Sequence, residues 1–167
     1  MDEPIQVVLQ FEQFINARNP KTISAAMTAD AAFVDSLGNR VEGTAKLQAA
    51  WEGYFKMVPD YSISHSEIFA DGNTVAVFGS AQGTFVHPKD SGKKSEADSR
   101  AELADQSARS LAPADHSVAE WNKATEKKEN FWKTPAAWRA VVKDGKIAVW
   151  QVFADNEPIR AIMRKNA

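Results

Sequence analysis

Two aspartates stand at positions where a carboxylate could carry out acid–base chemistry. Asp35 ends a short apolar run at residues 32–34, and Asp155 ends a longer one at residues 146–154. Placing a charge against apolar surface is costly unless the charge is paired or functional. Apolar neighbours, or a second carboxylate close by, raise the pKa of such a group and suit it to proton transfer near neutral pH. We therefore take Asp155 as a candidate catalytic residue of a pocket, with Asp35 as a carboxylate that could lie close to it.

Each aspartate also has a structural explanation that the sequence leaves open. Asp155, or Asn156 after it, could cap the helix that follows, and Asp155 could instead pair with Arg160. Asp35 could accept hydrogen bonds from the backbone of residues 36–38 in an Asx-type turn. The elements that surround the two carboxylates decide between these interpretations, because they determine which side chains reach a pocket.

The segment WRAVVKDGKIAVWQVFADNEPIR, residues 138–160, predicts a β-hairpin that leads into a short terminal helix. The Asp-Gly pair at 144–145 favours a two-residue type I′ turn, which needs positive φ at both positions. Regular pairing outward from this turn places Trp138 opposite Gln151, and side chains alternate between the two faces. One face would then carry the residues Trp138, Ala140, Val142, Ile147, Val149, Gln151, Phe153 and Asp155. We expect this face to form the pocket wall.

The remaining pattern predicts an α+β fold in which helices precede an antiparallel sheet. Helices are expected over residues 4–17, 21–27, 44–58 and 158–163, and further strands over residues 32–35, 61–69 and 74–85. We expect a strongly curved sheet of about five or six strands wrapped around the N-terminal helices, which leaves a cone-shaped pocket. Gly79, Ala81 and Gly83 recur at every second position of one strand, which indicates a bend or a close approach by another backbone.

Aromatic and polar side chains on the inner faces of these elements are the candidates for contact with a substrate. They are Phe11, Trp51, Tyr54, Phe55, His65, Trp138, Gln151 and Phe153. The aromatic residues among them could equally be core, with the Tyr54 hydroxyl a possible donor, and His65 could be a half-buried structural histidine. Three scattered histidines and the absence of cysteine give no metal-ligand spacing. We expect neither a metal nor another cofactor.

Composition limits the partners that this chain of 167 residues could have. The net charge of −2 provides no basic surface for nucleic acid. The acidic N-terminus lacks the basic start of a signal peptide, and no apolar run approaches the roughly 20 residues that span a membrane. We expect one cytoplasmic domain over residues 1–167. Its polar insertion at about residues 87–130 could be a solvated excursion or a lid.

Both ends of the chain resemble ketosteroid isomerase-like and SnoaL-like proteins of the nuclear transport factor 2-like superfamily. The first region is VVLQFEQFINARNPKTISAAMTADAAFVDSLGNRVEGTAKLQAAW, residues 7–51, in which a helix ending in Asn precedes a second helix and a D-A-x-F/V-x-D segment. The second is AWRAVVKDGKIAVWQVFADNEPIR, residues 137–160, which is similar to the closing hairpin of SnoaL-like domains. The resemblance implies a cone-shaped α+β barrel of the cystatin-like type, with a curved sheet around the N-terminal helices.

The resemblance also implies a function for the two aspartates. Asp35 matches the general base of ketosteroid isomerase, and Asp155 is similar in position to the acid–base aspartate of SnoaL-type polyketide cyclases. The oxyanion donors of the isomerase do not carry over, because the tyrosine position holds Phe11 and the aspartic acid position falls near Ala136 or Ala137. The resemblance therefore implies a cofactor-independent isomerase or cyclase acting on a small apolar carbonyl compound. The alternative is a non-catalytic ligand-binding or protein-interaction domain on the same scaffold.

A homodimer is a further implication of the resemblance. It would form through the outer face of the sheet. On the predicted pairing, the apolar residues of that face in the hairpin are Val141, Trp150, Val152 and Ala154.

Overall fold

The structure is a computed structural model that describes residues 3–87 and 129–167. The elements in these residues are, in chain order, α1 (Glu3–Asn16), α2 (Pro20–Ala25), β1 (Met27–Val34), β2 (Arg40–Glu42), α3 (Thr44–Met57), β3 (Ser62–Asp71), β4 (Thr74–Thr84), β5 (Phe131–Lys143), β6 (Lys146–Ala154) and α4 (Glu157–Lys165). The predicted α+β class is confirmed. Apart from its two ends, the polar insertion expected at about 87–130 lies outside the described residues.

The six strands form one curved sheet in the order β2-β1-β6-β5-β4-β3. Neighbouring strands are antiparallel except for β1 and β6, which run parallel. The predicted strand at residues 32–35 is therefore only the end of a longer one. It begins at Met27, directly after α2, and Ala26 accepts a backbone hydrogen bond from Ile147 at 3.0 Å. This parallel pairing joins the first strand of the sheet to the last.

Helix α1 packs against the concave face of the sheet through a single apolar stripe. Val8, Phe11 and Ile15 recur at helical spacing and are almost completely buried. The Phe11 ring meets the Trp150 ring edge to face at 5.1 Å, and Trp150 stacks against Trp138 at 6.2 Å. These contacts place the main core between α1 and strands β5 and β6.

The predicted turn of the closing hairpin is confirmed. Asp144 has φ 51° and Gly145 has φ 70°, which are the left-handed conformations of a type I′ turn. The turn pairs Lys143 with Lys146, as a two-residue connection requires.

The predicted register of the hairpin is wrong beyond this turn, because a β-bulge interrupts it. Val142 pairs with Ile147, but Val141 pairs with Val149, which leaves Ala148 as the extra residue. Trp138 therefore lies opposite Val152 rather than opposite Gln151.

The bulge reverses the faces predicted for the outer part of β6, since a slip of one residue exchanges the two faces of a strand. Trp150, Val152 and Ala154 turn inward, whereas Val149, Gln151 and Phe153 turn outward. Trp150 is 2% exposed and Phe153 is 51% exposed. The physical reason for the reversed faces is the size of the Trp150 indole ring. The bulge buries both Ile147 and Trp150, and a buried tryptophan removes about 250 Å² from water.

The close approach predicted for the alternating glycines of β4 is confirmed. A Cβ atom at Gly79 would lie 1.8 Å from the carbonyl oxygen of Ser64, beside a bulge in β3. A Cβ atom at Gly83 would lie 2.2 Å from Cγ1 of Val58. Glycine at these two positions lets β4 lie in close contact with its neighbour β3 and with the end of α3.

Candidate functional site

A cavity of about 400 Å³ lies between α3, the inner face of the sheet and α4. Its wall is mainly aromatic, with aliphatic side chains between the rings. The aromatic lining residues include Trp51, Tyr54, Tyr61, Phe85, Trp132 and Trp150. Cavities of this size and character are typical sites for small organic molecules.

Helix α3 forms one wall of the cavity because its apolar residues share a face. Leu47, Trp51, Tyr54 and Val58 follow the three-to-four-residue spacing of a helix, and all four line the cavity. The helix ends just before Val58, whose N–H donates to the carbonyl of Tyr54 at 2.9 Å. The chain then turns directly into β3, so that the next wall begins at Tyr61.

The opposite wall comes from the inward side chains of β5 and β6. Trp132 and Thr134 alternate along β5, and Trp150, Val152 and Ala154 alternate along β6. The bulge in the hairpin is what aims the β6 residues into the cavity. Sequence reasoning placed these three on the outer face and therefore missed them.

Two tyrosines supply hydroxyl groups to this apolar wall. The rings of Tyr54 and Tyr61 meet edge to face at 5.0 Å. Neither hydroxyl has a hydrogen-bond partner within the described parts of the chain. Burial raises the pKa of both phenols, and the proximity of Tyr54 raises the pKa of Tyr61 further. Both hydroxyls therefore stay protonated and available as donors.

A third donor lies in the same wall. Trp132 lines the cavity, and its ring centroid is 6.2 Å from that of Tyr61. Its Nε1–H is buried and has no hydrogen-bond partner in residues 3–87 and 129–167. Buried donors are nearly always paired in proteins, so an unpaired one marks a site that a ligand or water can complete.

A hydrogen bond between two distant parts of the chain lies in the lining of the cavity. Asn156 Nδ2 donates to Ser36 Oγ at 2.5 Å, which ties the start of α4 to the turn after β1. Helix α4 contributes Ile159, Arg160 and Met163 to the lining. Arg160 has no ion-pair partner among the described residues.

Asp35 borders the cavity, but its carboxylate belongs to a turn. Oδ1 accepts the backbone N–H groups of Leu37 and Asn39, and Oδ2 accepts the Asn39 side-chain amide, each at 2.9 Å. Burial raises the pKa of Asp35, but hydrogen bonds from Asn39, Leu37 and Gly38 outweigh it and hold the pKa below its ordinary value. The Asx-turn explanation therefore describes Asp35, and its carboxylate is a weak base.

Asp155 does not reach the cavity, which contradicts the prediction that it shares a pocket mouth with Asp35. It lies exposed beyond the end of β6, and its Oδ1 accepts the N–H of Glu157 at 2.9 Å. This is the helix-capping alternative. The prediction failed because the bulge in β6 turns the odd-numbered residues of its outer part away from the cavity.

The structure divides the other candidate residues into two groups. Trp51 and Tyr54 line the cavity. Phe11 and Trp138 lie behind the wall, where both pack against Trp150. These two are core residues, which is the other interpretation that the sequence allowed.

The remaining candidates lie outside the cavity lining. Phe55 stacks on Trp51 at 5.3 Å. His65 Nδ1 lies 2.7 Å from Oε2 of Glu12, which is nearly buried on α1, so His65 has a structural partner. The bulge sends Gln151 and Phe153 to the outer face. The prediction that these four line the pocket is wrong.

In the described ranges, no group of three or more histidine, aspartate or glutamate side chains could hold a metal ion. No helix in those ranges is long and apolar enough to cross a bilayer.

The comparison with known families decides where the protein belongs. The sequence matches the family of SnoaL-like domains over residues 8–150. This chain is a member of the SnoaL-like domain family. No match was found among proteins of curated function.

Solved structures share the fold of this SnoaL-like domain at low sequence identity. A putative SnoaL-like polyketide cyclase from Shewanella putrefaciens aligns with a TM-score of 0.65 and 12% identity, covering 99% of this chain and 98% of its own. A second structure is a hypothetical protein with a ketosteroid isomerase-like fold from Catenulispora acidiphila, in complex with trimethylamine. It aligns with a TM-score of 0.63 and 12% identity, and the alignment covers 93% of this chain and 89% of that protein. An LEH-like epoxide hydrolase of M. tuberculosis aligns with a TM-score of 0.63 and 13% sequence identity. The alignment covers 98% of this chain and 90% of the hydrolase chain.

Proposed function

We propose that this SnoaL-like domain binds an apolar small molecule in the cavity between α3, α4 and the sheet. The observation that carries the proposal is the cavity itself, which has a volume of about 400 Å³ and a predominantly aromatic and aliphatic wall. Burying roughly 200 Å² of apolar ligand surface there contributes about 5 kcal/mol before the costs of association. The trimethylamine complex of the Catenulispora protein supports small-molecule binding on this fold.

Binding without catalysis is the better supported of the two functions that the sequence leaves open. The two candidate bases do not converge, because Asp35 is held in its turn and Asp155 caps α4. Phe11 occupies the position of the isomerase tyrosine and lies in the core. A binding protein requires none of these groups to transfer a proton.

A proton-transfer reaction through Asp35 is the second candidate, since this carboxylate borders the cavity. It would make the protein an isomerase or a polyketide cyclase-like enzyme for a carbonyl compound. The test is turnover of such a compound by the wild-type protein and by Asp35→Asn, which keeps an acceptor oxygen for the turn. Equal turnover, or none in either protein, would exclude Asp35 as the base.

The mouth of the cavity allows the binding proposal to be tested without disturbing the core. Ala50 lines the cavity at the exposed surface of α3, whereas Ala49 beside it does not. We expect Ala50→Trp to block entry of the neutral fluorescent probe N-phenyl-1-naphthylamine and to weaken its binding at least about tenfold. The matched control Ala49→Trp should bind as the wild type does. Equal binding by all three proteins, or by none, contradicts the proposal.

The homodimer expected through the outer sheet face also stays a proposal, with a different set of residues. The bulge turns Phe153 outward, and it joins Phe69 and Phe78, which are 57% and 47% exposed. These three rings supply the apolar area that we first assigned to Trp150 and its neighbours. Sedimentation of Phe78→Glu as a monomer and of the wild type as a dimer would support this assembly.

A further inference from the structure

The side of the cavity formed by α4 carries a positive charge that no acidic group in residues 3–87 and 129–167 neutralises. Among the residues that line the cavity, Arg160 is the only one with a cationic side chain, and it is exposed to solvent. Its guanidinium forms neither an ion pair nor a hydrogen bond with the described residues. The rest of the lining is mainly aromatic and aliphatic, so a lone cation there requires an explanation.

The spacing of residues along α4 turns Arg160 toward the cavity. Asn156 at the start of the helix is followed at intervals of three or four residues by Ile159, Arg160 and Met163, and residues at this spacing share one face. All four line the cavity. The Arg160 N–H donates to the carbonyl of Asn156 at 3.0 Å, and the Asn156 side chain is joined to Ser36. The backbone of the helix therefore fixes the base of the Arg160 side chain at the cavity.

The carboxylates that could neutralise Arg160 are engaged elsewhere. Glu157, three residues earlier on α4, pairs with Arg164, and Asp155 accepts the N–H of Glu157. The ion pair between Asp155 and Arg160 that the sequence allowed does not form. Asp35, the only acidic residue of the lining, accepts three hydrogen bonds within its own turn. The guanidinium therefore keeps its five N–H donors for water or for a ligand.

We propose that Arg160 binds the carboxylate of an amphipathic monoanion, a small molecule with one carboxylate whose apolar body occupies the cavity. This inference rests on the proposed ligand-binding function and names the charge and the chemical class of the ligand. A guanidinium binds a carboxylate through two parallel N–H···O bonds, which are stronger than hydrogen bonds between neutral groups. Because Arg160 is exposed, the carboxylate keeps part of its hydration while the apolar body leaves water, which limits the cost of burying a charge.

A single negative charge fits this lining better than two. Arg160 is its one cation, and Asp35 adds a negative charge to the same lining. Hydrogen bonds hold the pKa of Asp35 below its ordinary value, so this carboxyl is ionised at neutral pH. A phosphate monoester carries a charge of about −1.5 to −2 at pH 7 and would meet only one cation there. Arg160 neutralises the single charge of a carboxylate completely.

Two probes with the same ring system and nearly the same shape test the charge of the ligand. They are 2-naphthoate and its neutral amide, 2-naphthamide, and each is titrated against N-phenyl-1-naphthylamine bound to the wild-type protein. We expect the carboxylate to bind about fivefold more tightly than the amide at low ionic strength, as a partly exposed ion pair allows. In about 1 M NaCl the preference should fall below about twofold, because salt screens exposed charges. Equal affinity at low salt, or tighter binding of the amide, overturns the assignment.

Substitutions on α4 test whether Arg160 is the group that binds the carboxylate. The preference for 2-naphthoate over 2-naphthamide should vanish in Arg160→Gln and return in part in Arg160→Lys, which restores the charge without the planar fork. Arg164→Gln is the matched control, since it removes the same charge from α4 at a residue outside the cavity lining, and it should keep the wild-type preference. A preference that persists in Arg160→Gln, or an equal loss in Arg164→Gln, would contradict a contact with Arg160.

The same titrations distinguish a failure of this inference from a failure of the binding function. If N-phenyl-1-naphthylamine and both naphthalene compounds fail to bind to the wild-type protein, both proposals are wrong. If the fluorescent probe and the amide bind in the cavity but the carboxylate has no advantage, the cavity binds apolar molecules and only the assignment of Arg160 is wrong.

Discussion

Asn156 and Ser36 are 120 residues apart in the chain, yet their side chains are joined by a hydrogen bond of 2.5 Å. Both residues line the cavity. The bond holds α4 against the turn that contains Asp35, so that the C-terminal helix covers the cavity. Helix α4 has no fully buried residue of its own, and the tie adds to the packing of its half-buried Ile159 and Ile162 against the core.

Asn156→Ala should loosen the cover without unfolding the domain. We expect dissociation of N-phenyl-1-naphthylamine, measured by stopped-flow fluorescence, to become several-fold faster, and the free energy of unfolding to fall by about 1 kcal/mol. Asn166→Ala is the matched control. It removes hydrogen bonds to Asn130 and Ile162 at the other end of the same helix. Equal acceleration in both variants would mean that the tie to Ser36 does not control the mouth.

Gly83→Ala should destabilise the protein because the added methyl group would collide with Val58. The new Cβ atom would lie 2.2 Å from Val58 Cγ1, and overpacking of this kind costs about 1–3 kcal/mol. Gly53→Ala provides the opposite case. Gly53 lies within α3 with no atom near its missing Cβ, so alanine should stabilise the helix by up to about 1 kcal/mol. Denaturant unfolding should show a lower free energy of unfolding for Gly83→Ala and a higher one for Gly53→Ala.

Tyr54 and Tyr61 should give the native protein a distinctive alkaline titration. Their folded-state pKa values lie above the ordinary value of 10.0. An unfolded chain ionises near pH 10, so stability should fall as the pH rises above that value and the unfolded state releases its protons first. Phenolate absorbance should stay low in the native protein at pH 10 and appear together with unfolding. Ionisation at an ordinary pKa without unfolding would contradict the burial of this pair.

The register of the closing hairpin predicts very different effects for two aromatic residues of β6. Trp150→Ala should reduce the free energy of unfolding by about 3–5 kcal/mol, since the indole is enclosed by Phe11 and Trp138. Phe153→Ala lies on the outer face and should cost less than about 1 kcal/mol in the monomer. The comparison is made by denaturant unfolding at a protein concentration where the chain is monomeric. A larger loss of stability in Phe153→Ala than in Trp150→Ala would contradict the bulge and support the regular register that the sequence predicted.

The turn of this hairpin was predictable from sequence because its conformation is local. Asp144 and Gly145 accept positive φ more readily than other residues, and little else determines a two-residue turn. The bulge at Ala148 is not local. It reflects a competition between burying Trp150 and burying Phe153, which depends on the space that α1 leaves. The register that results places Asp155 outside the cavity lining.

Only part of the site was predictable from the sequence. Trp51 and Tyr54 lie on a helical stripe, so their inward direction follows from spacing alone. Tyr61 and Trp132 lie where the chain enters a strand, and their facing depends on which elements pack above them. Asp35 lies in the lining of the cavity, but its three hydrogen bonds within the turn became apparent only from the backbone geometry.

The most direct test of the binding proposal is a crystal structure of the protein soaked with 2-acetonaphthone. We expect the naphthalene ring in the cavity, against the rings of Trp51 and Trp150 that line it. An empty cavity, with the ketone bound only at the outer face near Phe78 and Phe153, would contradict the account.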